Sequence, residues 1–209
     1  MASALFTAKE FDVFKMPDFQ SRMAALRERV RPKLEGLGEA LRPGLAKTVG
    51  GELFAHVAKH ARRTVNPPDD TWVAFGPGKR GYKKDVHFKV AVSRNCLRFL
   101  FELGPEYQQK ARWASSWGKR AAELTPALKK VKGLGWFKNE HDEEPATLLR
   151  DLSPEELRQL GQELTRTRDG QFVIGRLVSR DEATSWSREA IQKAALSTFA
   201  ALAPLFRMR

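Results

Sequence analysis

The chain has a single cysteine, Cys96, among 209 residues. One thiol excludes an internal disulfide and a thiolate zinc site. It fits a reducing compartment, so the expected location is the cytoplasm. Long apolar runs are missing too. None approaches the roughly 20 residues that cross a bilayer, so no membrane partner is expected. The stretch from Met1 to Glu10 lacks a basic n-region and a long apolar h-region, and does not read as a secretory signal. Internal repeats and low-complexity linkers are absent as well. Aromatic residues are not scarce. The chain is 42% hydrophobic, with 13 Phe and 5 Trp, which is enough for a core and excludes a disordered tail. Length and composition suit one domain over residues 1–209.

In two places the chain is short of acids. The net charge is +12. Between His56 and Lys89, eight bases (Lys59, Arg62, Arg63, Lys79, Arg80, Lys83, Lys84, Lys89) meet three acids, Asp69, Asp70 and Asp85. Between Lys110 and Asn139, eight more (Lys110, Arg112, Lys119, Arg120, Lys129, Lys130, Lys132, Lys138) meet Glu123 alone. Outside these windows the charges balance. Gathered like charge repels itself in a compact state, so it points to an anionic partner, a small molecule or a nucleic acid. The competing reading is a solvated basic face.

Periodicity outlines the elements. Phe19, Met23, Leu26 and Val30 predict a helix from an Asp18 cap, with Pro32 kinking or restarting it and Leu34, Leu37, Leu41 and Leu45 continuing the stripe. A short helix is expected over Glu52–Arg62. Thr71–Phe75, Val86–Val92 and Cys96–Glu102 read as three strands joined by short links, an antiparallel meander. A long helix carrying Trp113 and Trp117 follows, then a second short one after Thr125-Pro126. Gly133–Phe137 reads as a short edge strand. Ser153-Pro154-Glu155-Glu156 caps a helix to about Arg166. Phe172–Val178 is a late strand, and a final helix spans about Thr184–Phe206. The fold class is α+β: one antiparallel sheet, a meander of about three strands plus one or two later ones, packed with several helices.

The unusual polar residues concentrate between His56 and Lys84. On a helix, His56 and His60 would share a face, one turn apart. Two such His can chelate a cation, but the zincin Glu is missing and Lys59, Arg62 and Arg63 oppose a dication, so no metal is assigned. As an anion pocket, Arg62 and Arg63 would converge with Lys79, Arg80 and Lys83 from a glycine-rich turn, while Trp72 and Tyr82 stack on a base. His56, His60 and His87 are then candidate acid/base groups. A His among cations is expected to have a lowered pKa. His60, Arg62, Arg63, Lys83 and His87 are expected to line one concave site. In the structural alternative, Asp69 or Asp70 neutralises Arg62 or Arg63. Gly76-Pro77-Gly78-Lys79-Arg80-Gly81 is not a Walker loop, and no dinucleotide or nucleophile-elbow motif is present, so no cofactor is expected. The leading function is binding of a phosphate-bearing ligand, a nucleotide or nucleic acid. The alternatives are a small-molecule enzyme, metal-assisted or not, centred on the three His, and an interaction protein without chemistry. Trp113 and Trp117 with their flanking bases read as a buried stripe under a basic face, or else as a surface for bases or lipid.

Several segments carry a resemblance. Phe11-Asp12-Val13-Phe14, Arg22-Met23, Pro32-Lys33-Leu34, Leu37-Gly38-Glu39, the run from His56 to Phe75, Lys79-Arg80-Gly81-Tyr82-Lys83 and His87-Phe88 resemble the YktB-like family of uncharacterised bacterial proteins. The match is continuous over the first half and looser beyond residue 100. It implies a soluble cytosolic α+β protein and brings no reaction and no catalytic residue.

Overall fold

Seven strands pair antiparallel into one sheet, in the order β1-β2-β3-β4-β7-β5-β6, in a computed structural model that describes residues 3–209. Met1 and Ala2, where the expected domain and the reading of the amino terminus begin, lie outside the described residues. The strands are β1 (Phe54–Val57), β2 (Asp70–Gly76), β3 (His87–Ser93), β4 (Cys96–Leu103), β5 (Leu134–Phe137), β6 (Thr147–Leu148) and β7 (Phe172–Ser179). β2, β3 and β4 form the expected meander, with Thr71 opposite Val92 and Phe88 opposite Phe101. The α+β class holds. The later strands number three, and β1 adds another before the meander.

The helices are α1 (Ala8–Asp12), α2 (Phe19–Ala25), α3 (Arg31–Val49), α4 (Lys110–Lys129), α5 (Pro154–Arg166), α6 (Arg180–Ala183) and α7 (Arg188–Phe206). The long ones layer on one face of the sheet. Val73, Phe75, Phe88, Val90, Phe99, Phe101, Phe172 and Ile174 meet them in one continuous core. α3 lies close over β1 and β2: a Cβ at Gly38 would stand 3.2 Å from both Ala55 and Val73. On α7, Phe199 stacks on Phe88 with centroids 4.8 Å apart. Trp113 and Trp117 of α4 stack at 6.0 Å and are fully buried. Their Nε1–H groups donate to the carbonyls of Leu205 and Leu157. They are core, so the surface role for these indoles is set aside.

Four expected elements need correction. Residues 52–62 are not a helix. Gly50 ends α3 in the left-handed region at φ 75°. The chain then runs extended, and β1 covers the edge of β2, with Phe54 opposite Gly76 and Val57 opposite Val73. The apolar residues there fit period 2 as well as period 3.6, and edge pairing decided between them. Thr125-Pro126 starts no new helix. Thr125 Oγ1 turns back to the Ala121 carbonyl at 2.6 Å, and α4 continues to Lys129. β5 is not an edge strand, because β7 pairs on one side of it and β6 on the other. The last helix is split: Ser187 accepts from the Ala190 N–H and opens α7 separately. Pro32 restarts the helix, as expected: after a π-helical turn over Leu26–Val30, α3 begins at Arg31 with Pro32 in its first turn, where a missing N–H costs little.

Candidate functional site

The second face of the sheet carries charge. Strand alternation puts Asp70, Trp72 and Ala74 of β2, His87, Lys89 and Ala91 of β3, and Arg98, Leu100 and Glu102 of β4 on that face. A loop after β5, Asn139 to Glu143, folds over them. Arg98 donates to the carbonyls of Glu140 and Asp142 at 2.9 and 2.8 Å, and to the Asp70 carboxylate at 2.7 Å. Lys89 is fully buried between the carboxylates of Glu102, at 2.8 Å, and Glu140. Its ammonium sits 4.8 Å from the Trp72 ring centroid. Burial alone would lower the Lys89 pKa, but Glu102 and Glu140 hold it above the ordinary range. Burial would raise Glu102 and Asp70. Lys89 and His87 pull Glu102 below its ordinary value, and His141 and Arg98 do the same for Asp70. These buried charges therefore neutralise one another.

Above this floor opens a cleft of about 910 Å³. Trp72 and Tyr82 line it, with the indole N–H donating to the Tyr82 hydroxyl at 2.7 Å. Burial pushes Tyr82 up to about 12, so its hydroxyl keeps its own proton. The rim is cationic: Lys59, Arg62, Arg63, Arg80, Lys83 and Lys84 all line it, against Asp85 and Glu106. The rim cations are exposed. Lys83 approaches Glu106 at 3.8 Å. Among the described residues, Arg62 and Arg63 meet no carboxylate. The Arg63 guanidinium donates only to the Asn66 carbonyl, at 3.3 Å. The acids expected to neutralise them are engaged elsewhere, Asp69 with Arg22 at 3.2 Å and Asp70 with Arg98. The glycine-rich turn forms one wall. A Cβ at Gly78 would run into the Gly81 carbonyl, so the turn tolerates only glycine there.

Most of the expected site residues meet at this cleft. His56, His60, Arg62, Arg63, Trp72, Arg80, Tyr82 and Lys83 line it. Lys79 does not: it is exposed and lies outside the cleft lining. His87 was expected on an outward strand face and is instead buried beneath Tyr82, ring centroids 4.8 Å apart, in a small adjoining cavity. Its Nδ1–H donates to the Asp85 carbonyl at 3.0 Å, and its Nε2 faces Glu102 at 3.4 Å. His56 and His60 do not share a helical face. His56 lies on β1 and donates from Nε2 to the Gly78 carbonyl at 2.8 Å, tying the turn to the edge strand. His60 stands beyond the strand, its Nε2 3.1 Å from Thr71 Oγ1. Its pKa is lowered to about 4, with burial as the main cause. Arg63 and Arg31 add to that, and Asp70 opposes it. The direction matches the expectation and the leading cause does not. No group of three His, Cys, Asp or Glu fit to hold a metal occurs among the described residues.

The sequence reading passed over Lys89, Arg98, Glu102, Glu140 and His141 as site residues. His141 lines the cleft, and its Nδ1 lies 3.1 Å from both Asp70 oxygens. That hydrogen bond raises its pKa, with burial opposing and Glu140 reinforcing it. A signal was present: charged residues recur at alternate positions in β3 and β4, Arg98 and Glu102 within otherwise apolar strand. On a half-exposed sheet this reads as an ordinary solvent face.

The fold and site define a class: an α+β protein with helices on one face of an antiparallel sheet and, on the other, a cation-rimmed, aromatic-lined cleft over a floor of paired charges. The chain belongs to the family described as a domain of unknown function, DUF1054, whose model matches residues 6–206. It is 34% identical to a UPF0637 protein of Bacillus licheniformis over 208 residues, covering 100% of this chain and 97% of the relative. A UPF0637 protein of Lysinibacillus sphaericus is also 34% identical, with the same coverage. One from Staphylococcus haemolyticus is 34% identical over 95% of this chain and 96% of its own. The YktB-like resemblance seen in the first half therefore extends along the whole chain. No helix among the described residues is long and apolar enough to cross a membrane.

Proposed function

We propose that the cleft binds a phosphate-bearing small molecule of nucleotide size, in the cytoplasm. The observation that carries this is the contrast between floor and rim. The floor charges are paired, while Arg62, Arg63 and Arg80 on the rim have no carboxylate within 4 Å among the described residues. Such arginines offer fork geometry to phosphate oxygens, with Lys83 and Lys84 adding point charge. Tyr82, half-buried in the cleft wall, supplies aromatic surface for a base, while Trp72 beside it is buried. The volume suits one nucleotide or dinucleotide. The three-histidine enzyme reading loses support, because His56 is tethered to the turn and His87 is buried.

The test is thermal unfolding with adenosine monophosphate and with inorganic phosphate. A ligand at about 100 times its Kd stabilises by about 2.7 kcal/mol. The double variant Arg62→Ala/Arg63→Ala should lose this shift while its unliganded stability stays within about 0.5 kcal/mol, because these side chains are exposed and unpaired. Strong destabilisation of the unliganded variant would end the anion reading at these positions.

A polynucleotide is the second reading, favoured by α4. Its Trp face is buried, which turns Arg112, Lys119 and Arg120 outward. That face lies on the helix side of the sheet, opposite the cleft.

A further inference from the structure

We propose that His60 and His141 are an acid–base pair that hydrolyses a phosphodiester held in the cleft, with His60 the base and His141 the acid. The inference rests on the anionic-ligand reading of the cleft. Both imidazoles pack against one indole. His60 meets the Trp72 ring at 5.3 Å and His141 meets it at 5.9 Å, so the rings lie within about 11 Å of each other. In-line displacement at phosphorus puts the attacking and leaving oxygens on opposite sides, and so needs its base and acid apart.

Each ring is positioned by a specific device. Asp70 is buried, fixed by Arg98 at 2.7 Å, and accepts from His141 Nδ1–H, while the His141 side chain stays 47% exposed. A carboxylate that orients an imidazole in this way selects the tautomer and supports the protonated ring. His60 has φ 51°, the one non-glycine residue in the left-handed region among the described residues. A backbone held there against its preference concentrates at functional sites. Thr71 Oγ1 engages His60 Nε2 and leaves Nδ1 free.

The environments push the two titrations apart, which is how acid and base roles are assigned. Around His60 stand Asp70, Arg63, Arg31 and His141, and burial brings it to about 4. Around His141 stand Asp70, Glu140 and Lys89, and the net effect is upward. Above His60's titration, and until His141 gives up its proton, His60 is neutral and His141 charged. A phosphoryl anion beside His60 raises its proton affinity again, so basicity arrives with the ligand.

In the step, His60 takes a proton from water as the water oxygen bonds to phosphorus. The bond from phosphorus to the leaving oxygen breaks, and His141 gives that oxygen its proton. A diester and water become a monoester and an alcohol, and both rings reset by proton exchange with solvent. Arg62, Arg63 and Arg80 face the charge that builds on the phosphoryl oxygens.

The experiment uses the full chain with thymidylyl-thymidine, uridylyl-adenosine and bis(p-nitrophenyl) phosphate. Turnover should rise with pH through His60's titration and fall as His141 deprotonates above 6.5. On the dinucleotides, His60→Asn and His141→Gln should each lower kcat by about 100-fold or more. Asn accepts the left-handed backbone, and Gln keeps a donor toward Asp70. On bis(p-nitrophenyl) phosphate the leaving phenolate needs no proton. There His60→Asn should keep its full loss and His141→Gln should lose less than about tenfold. Equal losses for His141→Gln on both substrates would overturn its role as the acid. No turnover of any of the three by the unaltered protein would overturn the proposal. If adenosine monophosphate still raises the melting temperature in that case, the ligand reading survives and only the chemistry falls. If it does not, both fall.

Discussion

Lys89 is the residue on which the cleft floor turns. It is enclosed by Glu102, Glu140 and the Trp72 ring, so Lys89→Met leaves two carboxylates without their cation. Breaking a buried pair from one side costs about 3–5 kcal/mol, and urea denaturation should show a loss of that size. Acid sensitivity follows from the histidines. His60 has a folded pKa of about 4 against an ordinary 6.5, so between those pH values the unfolded chain takes up a proton that the folded one refuses. Its contribution to stability falls as pH drops through that window. His141 has the opposite sign. Its contribution is full below 6.5 and fades as pH rises through its raised pKa. Denaturation at pH 7 and pH 5 should therefore show His60→Asn favouring the lower pH relative to the parent, and His141→Gln favouring the higher. The rim cations were legible because they cluster in sequence. The floor was not, since Lys89 and Arg98 meet Glu140 and Asp142 only through a loop more than forty residues further on.

Among the elements, α4 and α5 meet most tightly at a glycine. A Cβ on Gly161 would collide with Trp117 Cδ1, and Trp117 is held in place by Phe172 and by its bond to the Leu157 carbonyl, one turn before Gly161 on α5. Gly161→Ala should destabilise by about 1–3 kcal/mol as an overpacking change, read as a lower denaturant midpoint at unchanged slope. Ser153 is a smaller lever. It caps α5 reciprocally with Glu156, and Ser153→Ala should cost about 1 kcal/mol. These helices and the strands β2 to β4 were readable because each is long enough to repeat its period several times. β1 has four residues and β6 two. Neither repeats its pattern enough to be recognised, and their pairing depends on partners elsewhere in the chain.

At the scale of the molecule, the two basic windows part company. One rims the cleft, while most of the other, Lys110 to Lys129, lies on α4 on the far side of the sheet, so they do not form one phosphate track. Neutralising Lys119, Arg120, Lys129 and Lys130 should flatten the salt dependence of any polynucleotide binding and leave the adenosine monophosphate shift unchanged. Calorimetry checks this, along with the proposal that residues 1–209 unfold as one domain. A single transition with equal calorimetric and van't Hoff enthalpies is expected.

The place of β7 in the sheet bears on how the protein is made. It pairs with β4 along eight residues, from Leu103 opposite Phe172 to Cys96 opposite Ser179, and it separates β4 from β5. A ribosome releases β4 long before β7. For that interval β4 presents an open, apolar edge, and β5 has only the two-residue β6 to join. The nascent chain therefore stays unfinished until β7 emerges, and folding waits on distant pairings that close slowly. Truncated or stalled chains should be sticky rather than partly functional, held by chaperones until the closing strand arrives.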